Sequence, residues 1–229
     1  IVGNGSVLAA REPYAVTVWL DRGYANVGDK VTGTFAARTL DGKKVEGKAT
    51  AILHSSELNK DGKIEEKEIG RWTPEGENWT FTASKAGQYR VAVEFTDTKG
   101  RKQEGATIFS VRGSDVKGNF RYNDLELIPD KKEYRPGDTV KLLVNVNQPN
   151  SRVWLFIRPS QGKASETQII HIKGKSQVVE IPLSLADMPN FFIEGVTVAK
   201  GQVHTVTREI VLPPEKRQLN VEVKPAKDK

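Results

Sequence analysis

A short sequence pattern occurs twice in this chain and begins a third time, and it constrains the fold more than any other feature. In each full copy, an alternating apolar run leads to a tyrosine, then to Gly-Asp, then to a second apolar run. The two dipeptides are Gly28-Asp29 and Gly137-Asp138, which lie 109 positions apart. A repeat of roughly one hundred residues has the size of a β-sandwich domain and is too long for a solenoid unit. The sequence therefore predicts at least two successive domains of one kind.

The second copy shows how the pattern would fold. Leu125 and Leu127 alternate with polar residues, and apolar residues alternate again between Val140 and Val146. A period of two is typical of strands with one buried face. Between these strands proline sets φ and glycine permits a positive φ, as a tight turn requires. We take as the structural repeat motif Tyr24, Gly28, Asp29, Tyr134, Pro136, Gly137 and Asp138.

The end of the sequence resembles the start of a third copy. Leu219 to Val223 alternates as Leu125 to Leu127 does, and Pro225 follows this run as Pro129 follows the earlier one. The sequence stops before a third tyrosine or Gly-Asp. We expect the chain to be a piece of a longer protein.

The strand pattern predicts an all-β protein of tandem antiparallel immunoglobulin-like sandwiches, with little helix. Seven strand candidates are visible in the first half. The last of them has two possible inward faces, Ala106/Ile108/Ser110 or Thr107/Phe109/Val111. We expect a leader or the end of a preceding domain at 1–12, a first sandwich at 13–112, a linker at 113–123, a second sandwich at 124–214 and a truncated third repeat at 215–229.

Composition excludes several classes of site. The 229 residues include no cysteine, so disulfides, thiolate metal sites and cysteine nucleophiles are absent from this sequence. The net charge of +6 is spread along the chain, which favours solvated sheet faces over a nucleic-acid or anionic-surface site. No apolar run approaches the roughly 18 residues of a membrane span.

Three longer stretches resemble the macroglobulin-type domains of the alpha-2-macroglobulin family, particularly its bacterial members. They are LELIPDKKEYRPGDTVKLLV (125–144), ADMPNFFIEGVTVAKGQ (186–202) and PPEKRQLNVEVKPAKDK (213–229). The first half adds VTVWLDRGY (16–24) and AGQYRVAVEFTDTKG (86–100). The first half departs from the family pattern because Asn26-Val27 stands where the family usually has proline, and its tyrosine lies one residue further from Gly-Asp.

The resemblance implies seven-stranded sandwiches within a large periplasmic, cell-surface or secreted protein that traps proteases. The family's thioester needs a cysteine, so that chemistry is absent here, and no segment stands out as a bait region. We therefore expect a non-catalytic scaffold fragment without cofactor. Its partners would be neighbouring domains of the parent chain and, through the parent, proteases. The alternative is a cell-surface adhesive or carbohydrate-binding module built of immunoglobulin-like domains.

One charged stretch matches part of an EF-hand calcium loop. Glu57, Asn59 and Asp61 place oxygen atoms at alternate positions, Glu68 stands at the twelfth position of the loop, and Gly62 would permit the sharp bend. However, the first position is not aspartate and no helix pattern flanks the loop. A hairpin that turns at Asp61-Gly62 with charged strands is the competing and preferred interpretation.

The remaining candidates are aromatic residues and histidines. Trp19, Trp72, Trp79 and Trp154 could form a sugar-stacking face with Phe191-Phe192, although buried core aromatics are the commoner outcome. Adjacent Phe191 and Phe192 must point to opposite faces of a strand, so we expect one of them at an interface between domains. The histidines, His54, His171 and His204, lie in separate strands without metal-ligand spacing, and no serine has a nucleophile context.

Overall fold

The computed structural model describes residues 11–113, 123–159 and 166–214, and it consists of two tandem β-sandwiches, as the sequence predicted. The first sandwich contains β1 (Ala15–Leu20), β2 (Tyr24–Asn26), β3 (Lys30–Arg38), β4 (Gly47–Leu58), β5 (Ile64–Trp72), β6 (Asn78–Thr82), β7 (Gly87–Asp97) and β8 (Lys102–Arg112). The second contains β9 (Leu125–Pro129), β10 (Thr139–Val146), β11 (Ser151–Pro159), β12 (Glu166–Ile172), β13 (Ser176–Pro182), β14 (Asn190–Ala199) and β15 (Gln202–Val211).

The first sandwich packs a three-stranded sheet, β1-β3-β6, against a five-stranded sheet, β2-β8-β7-β4-β5. Its core takes alternate residues from both sheets, for example Val31 and Val91, which are almost completely buried. The two possible faces of its last strand are now distinguished. Phe109 and Val111 point into the core, whereas Ile108 is 58% exposed.

The second sandwich packs a three-stranded sheet, β13-β10-β9, against a four-stranded sheet, β12-β11-β14-β15. Its core is a separate cluster that includes Leu127, Leu142 and Leu155, each with no exposed surface. The seven strands predicted for this half are all present. The one helical turn among the described residues is a 3-10 turn, Leu185–Asp187, which Ser184 caps.

The charged hairpin preferred over a calcium loop at Asp61-Gly62 is present, and β5 is its second strand. Nearly all side chains of β5 are exposed, so no period-two burial pattern marks it. The short strand β2 was not predicted, and it pairs with β8 in parallel, Tyr24 opposite Ser110. Among the described residues, the fold is antiparallel apart from this pair and an isolated parallel bridge between Glu133 and Val211.

Several predictions fall outside the described residues. The third repeat at 215–229 lies there, as do most of the expected leader at 1–12 and of the linker at 113–123. The two cores run from Tyr14 to Val111 and from Leu125 to Leu212. The domain boundaries given above remain a prediction.

Candidate functional site: the joint between the sandwiches

A corner motif, residues 21–29, connects β1 to β3 and contains the short strand β2. The Asp21 carboxylate accepts a hydrogen bond from the Thr32 amide at 3.2 Å, which ties the corner to β3. The Asp29 carboxylate accepts from the Asn26 amide at 2.9 Å, which closes the turn on itself. Gly28 occupies the left-handed region at φ +94°, where a side chain would be strained.

The second sandwich repeats this corner at residues 130–138 with the same hydrogen bonds. The Asp130 carboxylate accepts from the Lys141 amide at 2.8 Å, and the Asp138 carboxylate accepts from the Arg135 amide at 3.1 Å. Gly137 has φ +92°. Each of these groups lies 109 positions after its counterpart, so the repeat extends from the sequence to individual bonds.

The same correspondence extends to one ion pair in each corner and to one backbone bond. Arg22 lies 3.4 Å from the Asp29 carboxylate, and Lys131 lies 3.2 Å from that of Asp138. The Arg135 amide, together with Lys131, lowers the pKa of the Asp138 carboxyl below its ordinary value. The amides of the two glycines bond to carbonyl oxygens at equivalent strand ends, Gly28 to Ala83 at 2.8 Å and Gly137 to Leu183 at 3.0 Å.

The two tyrosines of the predicted repeat motif do not occupy equivalent positions. Counted from the Gly-Asp turns, Tyr134 corresponds to Ala25, and both lie in their own cores. The Tyr134 hydroxyl donates to the Asp130 carboxylate at 2.8 Å, and burial raises its pKa. Tyr24 corresponds to Glu133 instead. The apparent extra residue in the first copy is therefore a shift of the tyrosine and not an insertion.

Tyr24 serves the contact between the sandwiches. Its hydroxyl donates to the Lys141 carbonyl of the second sandwich at 3.2 Å, and the side chain is 7% exposed. Burial raises the pKa of this hydroxyl, which therefore remains a donor at neutral pH. One residue earlier, the Gly23 amide donates to the Asp130 carbonyl at 3.3 Å.

Gly23 is required at this place by space. A β-carbon built there would lie 2.2 Å from the Pro129 carbonyl oxygen and 2.9 Å from the Ile128 Cγ2 atom. Such distances are well inside van der Waals contact, so any side chain would push the two corners apart. Glycine therefore sets how closely the sandwiches approach.

The contact has an approximate two-fold relationship. Gly23 packs on Ile128, and the positions that correspond to these two by the 109-residue offset are Lys132 and Trp19. The Lys132 ammonium lies 5.4 Å from the centroid of the Trp19 ring, a cation–π distance. Each corner thus places its third residue against the first strand of the other sandwich, as in an isologous interface. We call this contact the joint.

A polar groove runs beside the joint. Its lining residues are Asp21, Arg22, Tyr24, Asn26, Asp29, Asp130, Lys131 and Lys141. The carboxylates of Asp21, Asp29 and Asp130 each accept a hydrogen bond from a backbone amide of their own sandwich.

The sequence did not predict the joint. Its contact residues, Trp19, Gly23 and Lys132, lie outside the predicted structural repeat motif. The signal that would have found them is the constant 109-residue offset, which also relates Asp21 to Asp130 and Thr32 to Lys141.

The calcium candidates are not brought together. Asn59 caps a hairpin turn by accepting from the amides of Asp61 and Lys63, both at 3.0 Å. Glu57 lies opposite Glu65 in the β4–β5 ladder, and Glu68 lies further along, opposite His54, where it pairs with Arg71. No group of three His, Asp or Glu side chains suited to a metal ion occurs in residues 11–113, 123–159 and 166–214.

Phe191 and Phe192 do point to opposite faces. Phe191 is 1% exposed and belongs to the core of the second sandwich, which leaves Phe192 as the candidate for the predicted domain interface. Phe192 is 39% exposed on the outer face of the four-stranded sheet. The contact between the sandwiches is made by the corner motifs instead.

The other candidates are dispersed. Trp79 is buried and Trp72 packs against the first core, whereas Trp154 points outward from the second sandwich. His204 lies 3.8 Å from the Asp124 carboxylate, and neither has a further ligand-bearing neighbour in a metal-binding group of the described chain. Among the described residues, no helix is long and apolar enough to cross a membrane.

Comparison with known sequences gives matches of one kind. The family model described as the alpha-2-macroglobulin bait region domain matches residues 125–229. An alpha-2-macroglobulin homolog of Nostoc sp. is 30% identical over 126 residues, which are 53% of this chain and 6% of that protein. An alpha-2-macroglobulin homolog of Deinococcus radiodurans is 26% identical over 224 residues, which are 97% of this chain and 19% of that protein.

The matched relatives are much longer than this chain, and one match bears on the bait region. The chain spans less than a fifth of each of these relatives. The match to a bait region domain also opposes the expectation that no bait segment lies in this sequence, because it covers residues 125–229.

Solved structures give weaker likenesses. The native conformation of Escherichia coli alpha-2-macroglobulin aligns with 88% of this chain and 15% of that chain, at 13% identity and a TM-score of 0.32. A tandem repeat from the extending region of a large adhesion protein aligns with 87% of this chain and 49% of that chain, at 16% identity and a TM-score of 0.33. TM-scores this low do not favour either protein as a guide to the function of this chain.

Proposed function

We propose that this chain, which carries a macroglobulin-type domain of the alpha-2-macroglobulin family, is a non-catalytic scaffold of a bacterial protease inhibitor. Its task is to hold two sandwiches at a set distance and angle within a longer protein. The parent protein would act in the periplasm, at the cell surface or after secretion. Its partners are the neighbouring domains of the parent chain and, through the parent, proteases.

The joint is the observation that carries this proposal. The approach at Gly23 and the bond from Tyr24 to the Lys141 carbonyl fix the corners against each other at more than one point. A chain that only needed to link two binding modules would gain nothing from a contact without space for a β-carbon. A scaffold that transmits the effect of a cleavage elsewhere needs such a fixed contact.

A distance measurement between the sandwiches tests the scaffold role. The sequence has no cysteine, so Lys99→Cys and Lys173→Cys, both at exposed positions, introduce one spin label in each sandwich. Double electron–electron resonance should give one narrow distance distribution. A broad distribution, as expected for freely rotating modules, would contradict the proposal.

A protease assay tests the second half of the proposal. Incubated with trypsin in equimolar amounts, the chain alone should leave trypsin fully active on large and small substrates. Cleavage products should be followed by mass spectrometry, especially within residues 125–229, which match the bait region domain. Stoichiometric loss of trypsin activity would show that the chain is an inhibitor by itself.

A carbohydrate-binding or adhesive module is the second candidate. The outward side chains of Trp154, Phe156 and Phe192 form an aromatic row of the kind that such a module requires. A glycan array with a clear hit that Trp154→Ala abolishes would favour this candidate over the scaffold.

A further inference from the structure

The four-stranded sheet of the second sandwich carries an apolar face that points away from its own core. Val153 and Leu155 point inward, so their strand neighbours point outward, and the ladders set the same alternation on the other three strands. The apolar side chains of this outer face include Trp154, Phe156, Ile169, Phe192, Val196 and Val203. Ile169 is 64% exposed and Val203 is 68% exposed.

The size of this outer face suits a protein partner. Four strands and four rows of outward residues cover an area of about 20 by 25 Å, or roughly 500 Å². Exposed apolar patches of this size on soluble proteins usually mark interaction sites. One of the described grooves reaches the edge of this face at Val203 and Thr205, whereas Trp154, Phe156, Ile169 and Phe192 line none of those described. The middle of the face therefore fits another sheet better than an extended peptide.

Charged groups occupy two opposite corners of the outer face. Arg152 and His171 are cross-strand neighbours at one corner. Glu209 lies at the diagonally opposite corner, beside Phe192. The remaining charges, Arg158 and Glu194, pair with each other. An apolar band therefore runs between a basic corner and an acidic corner.

We propose that this outer face binds the same face of a second copy of the chain. The register of the ladders indicates a two-fold axis close to Phe156. Thr167 on β12 and Glu194 on β14 lie opposite Phe156. Ile169 is the next outward residue after Thr167, and Phe192 is the outward residue before Glu194. Ile169 and Phe192 therefore lie diagonally on opposite sides of Phe156. A two-fold axis that passes over Phe156, lies in the plane of the interface and is perpendicular to the line from Ile169 to Phe192 places Ile169 over the partner's Phe192.

The same rotation matches the charges. His171 lies two residues beyond Ile169 on β12, opposite Arg152, and Glu209 lies opposite Phe192 on β15, so the rotation brings the corner of Arg152 and His171 over the partner's Glu209. Apolar residues thereby meet apolar residues and the basic corner meets the acidic corner, as an isologous interface requires. The strands of the two copies cross steeply, in the orthogonal class of sheet packing.

The buried area predicts a weak dimer. Two faces of this size bury about 1,000 Å² in total, near the lower limit for a specific interface. We expect a dissociation constant on the order of 10 to 100 µM. The chain should therefore be a monomer at low concentration and a dimer at high concentration.

Sedimentation equilibrium with charge-swapped variants tests the dimer and its register. Each single variant, Ile169→Lys or Phe192→Glu, should weaken the dimer about a hundredfold, because each change removes two symmetric contacts. The double variant places lysine over glutamate twice and should recover most of the affinity. Ile108→Lys, at a similarly exposed isoleucine on the first sandwich, is the matched control and should leave the dimer intact.

Three results would overturn the proposal. The first is a wild-type monomer at about 1 mM, well above the expected dissociation constant. The second is a double variant that remains as weak as the single variants, since the faces would then not meet in this register. The third is a glycan-array hit that is lost in Ile169→Lys while the chain stays monomeric, which would make the outer face a carbohydrate platform. Circular dichroism of each variant verifies the fold.

Discussion

The Gly23 amide donates to the Asp130 carbonyl oxygen at 3.3 Å, and this bond joins the corner of one sandwich to the equivalent corner of the next. The bond is long for an amide donor, so its own contribution is small. Its position is more informative, because the Pro129 carbonyl occupies the space where a Gly23 side chain would lie. Close approach of two backbones is therefore the property that the joint depends on.

Gly23→Ala should loosen the joint without unfolding either sandwich. The new β-carbon would lie 2.2 Å from the Pro129 oxygen, and a backbone atom cannot move aside as a flexible side chain does. The distance between spin labels at positions 99 and 173 should broaden or shift. The matched control is Gly174→Ala, because a β-carbon there meets no atom within 4 Å, and it should leave the distance unchanged. An unchanged distribution in Gly23→Ala would exclude Gly23 from this role.

Tyr134→Phe should destabilise the chain more than Tyr24→Phe. The Tyr134 hydroxyl donates to the Asp130 carboxylate and accepts from the Lys131 amide at 3.0 Å, so its loss leaves two groups without this partner. We expect a cost of about 1–3 kcal/mol in the free energy of unfolding. Tyr24→Phe removes one bond to the Lys141 carbonyl and should cost about 0.5–1.5 kcal/mol.

Urea unfolding of the two variants checks this ranking. Equal losses would contradict the assignment of Tyr134 to the corner itself and of Tyr24 to the joint. The label distance provides a second readout, which Tyr24→Phe should broaden and Tyr134→Phe should not.

The sequence was sufficient for the fold because period-two burial is visible wherever one face of a strand is buried. Strands such as β3 and β14 follow this rule, whereas Leu142 to Val146 of β10 are buried on both faces and β12 is largely exposed. Strand β5 does not, because it lies at a sheet edge and both of its faces are largely exposed. The last strand of the first sandwich allowed two faces, and only packing against the opposite sheet selects Phe109 over Ile108.

The sequence was less informative about the joint. A contact between domains depends on the path of two backbones, and here it uses a glycine, a tyrosine hydroxyl and carbonyl oxygens. Backbone acceptors such as the Lys141 carbonyl have no signature in a sequence. The two tyrosines have the same order in the repeated pattern, yet Tyr24 faces the neighbouring sandwich and Tyr134 lies in its own core.

Asp97 should make the first sandwich sensitive to acid. Burial by itself would raise the pKa of this carboxyl, but hydrogen bonds from the Arg101 amide and guanidinium and from the Lys99 amide lower it below its ordinary value. A lowered pKa in the folded state contributes stability above the unfolded pKa of about 3.9, and that stability is lost as the pH falls through the folded pKa.

Urea unfolding at several pH values tests Asp97. Asp97→Asn should be less stable than the wild type at neutral pH, and the difference should shrink as the pH falls below about 4. Asp61→Asn, in the exposed hairpin turn, is the control and should differ little from the wild type at any pH. A difference for Asp97→Asn that stays constant down to strong acid would show that the carboxylate is not held in its charged form by the fold.

Leu155→Ala should destabilise one sandwich and spare the other. Leu155 has no exposed surface and lies in the second core, which shares no residue with the first. Truncating a buried leucine in this way costs about 2–5 kcal/mol, because the surrounding structure fills the cavity only in part. Hydrogen exchange of backbone amides should therefore accelerate across β9–β15 and change little across β1–β8. Val91→Ala, in the first core, is the reciprocal variant and should reverse the pattern. Equal acceleration in both sandwiches for either variant would contradict this expectation. The joint would then couple the two sandwiches so that they unfold together in one cooperative step.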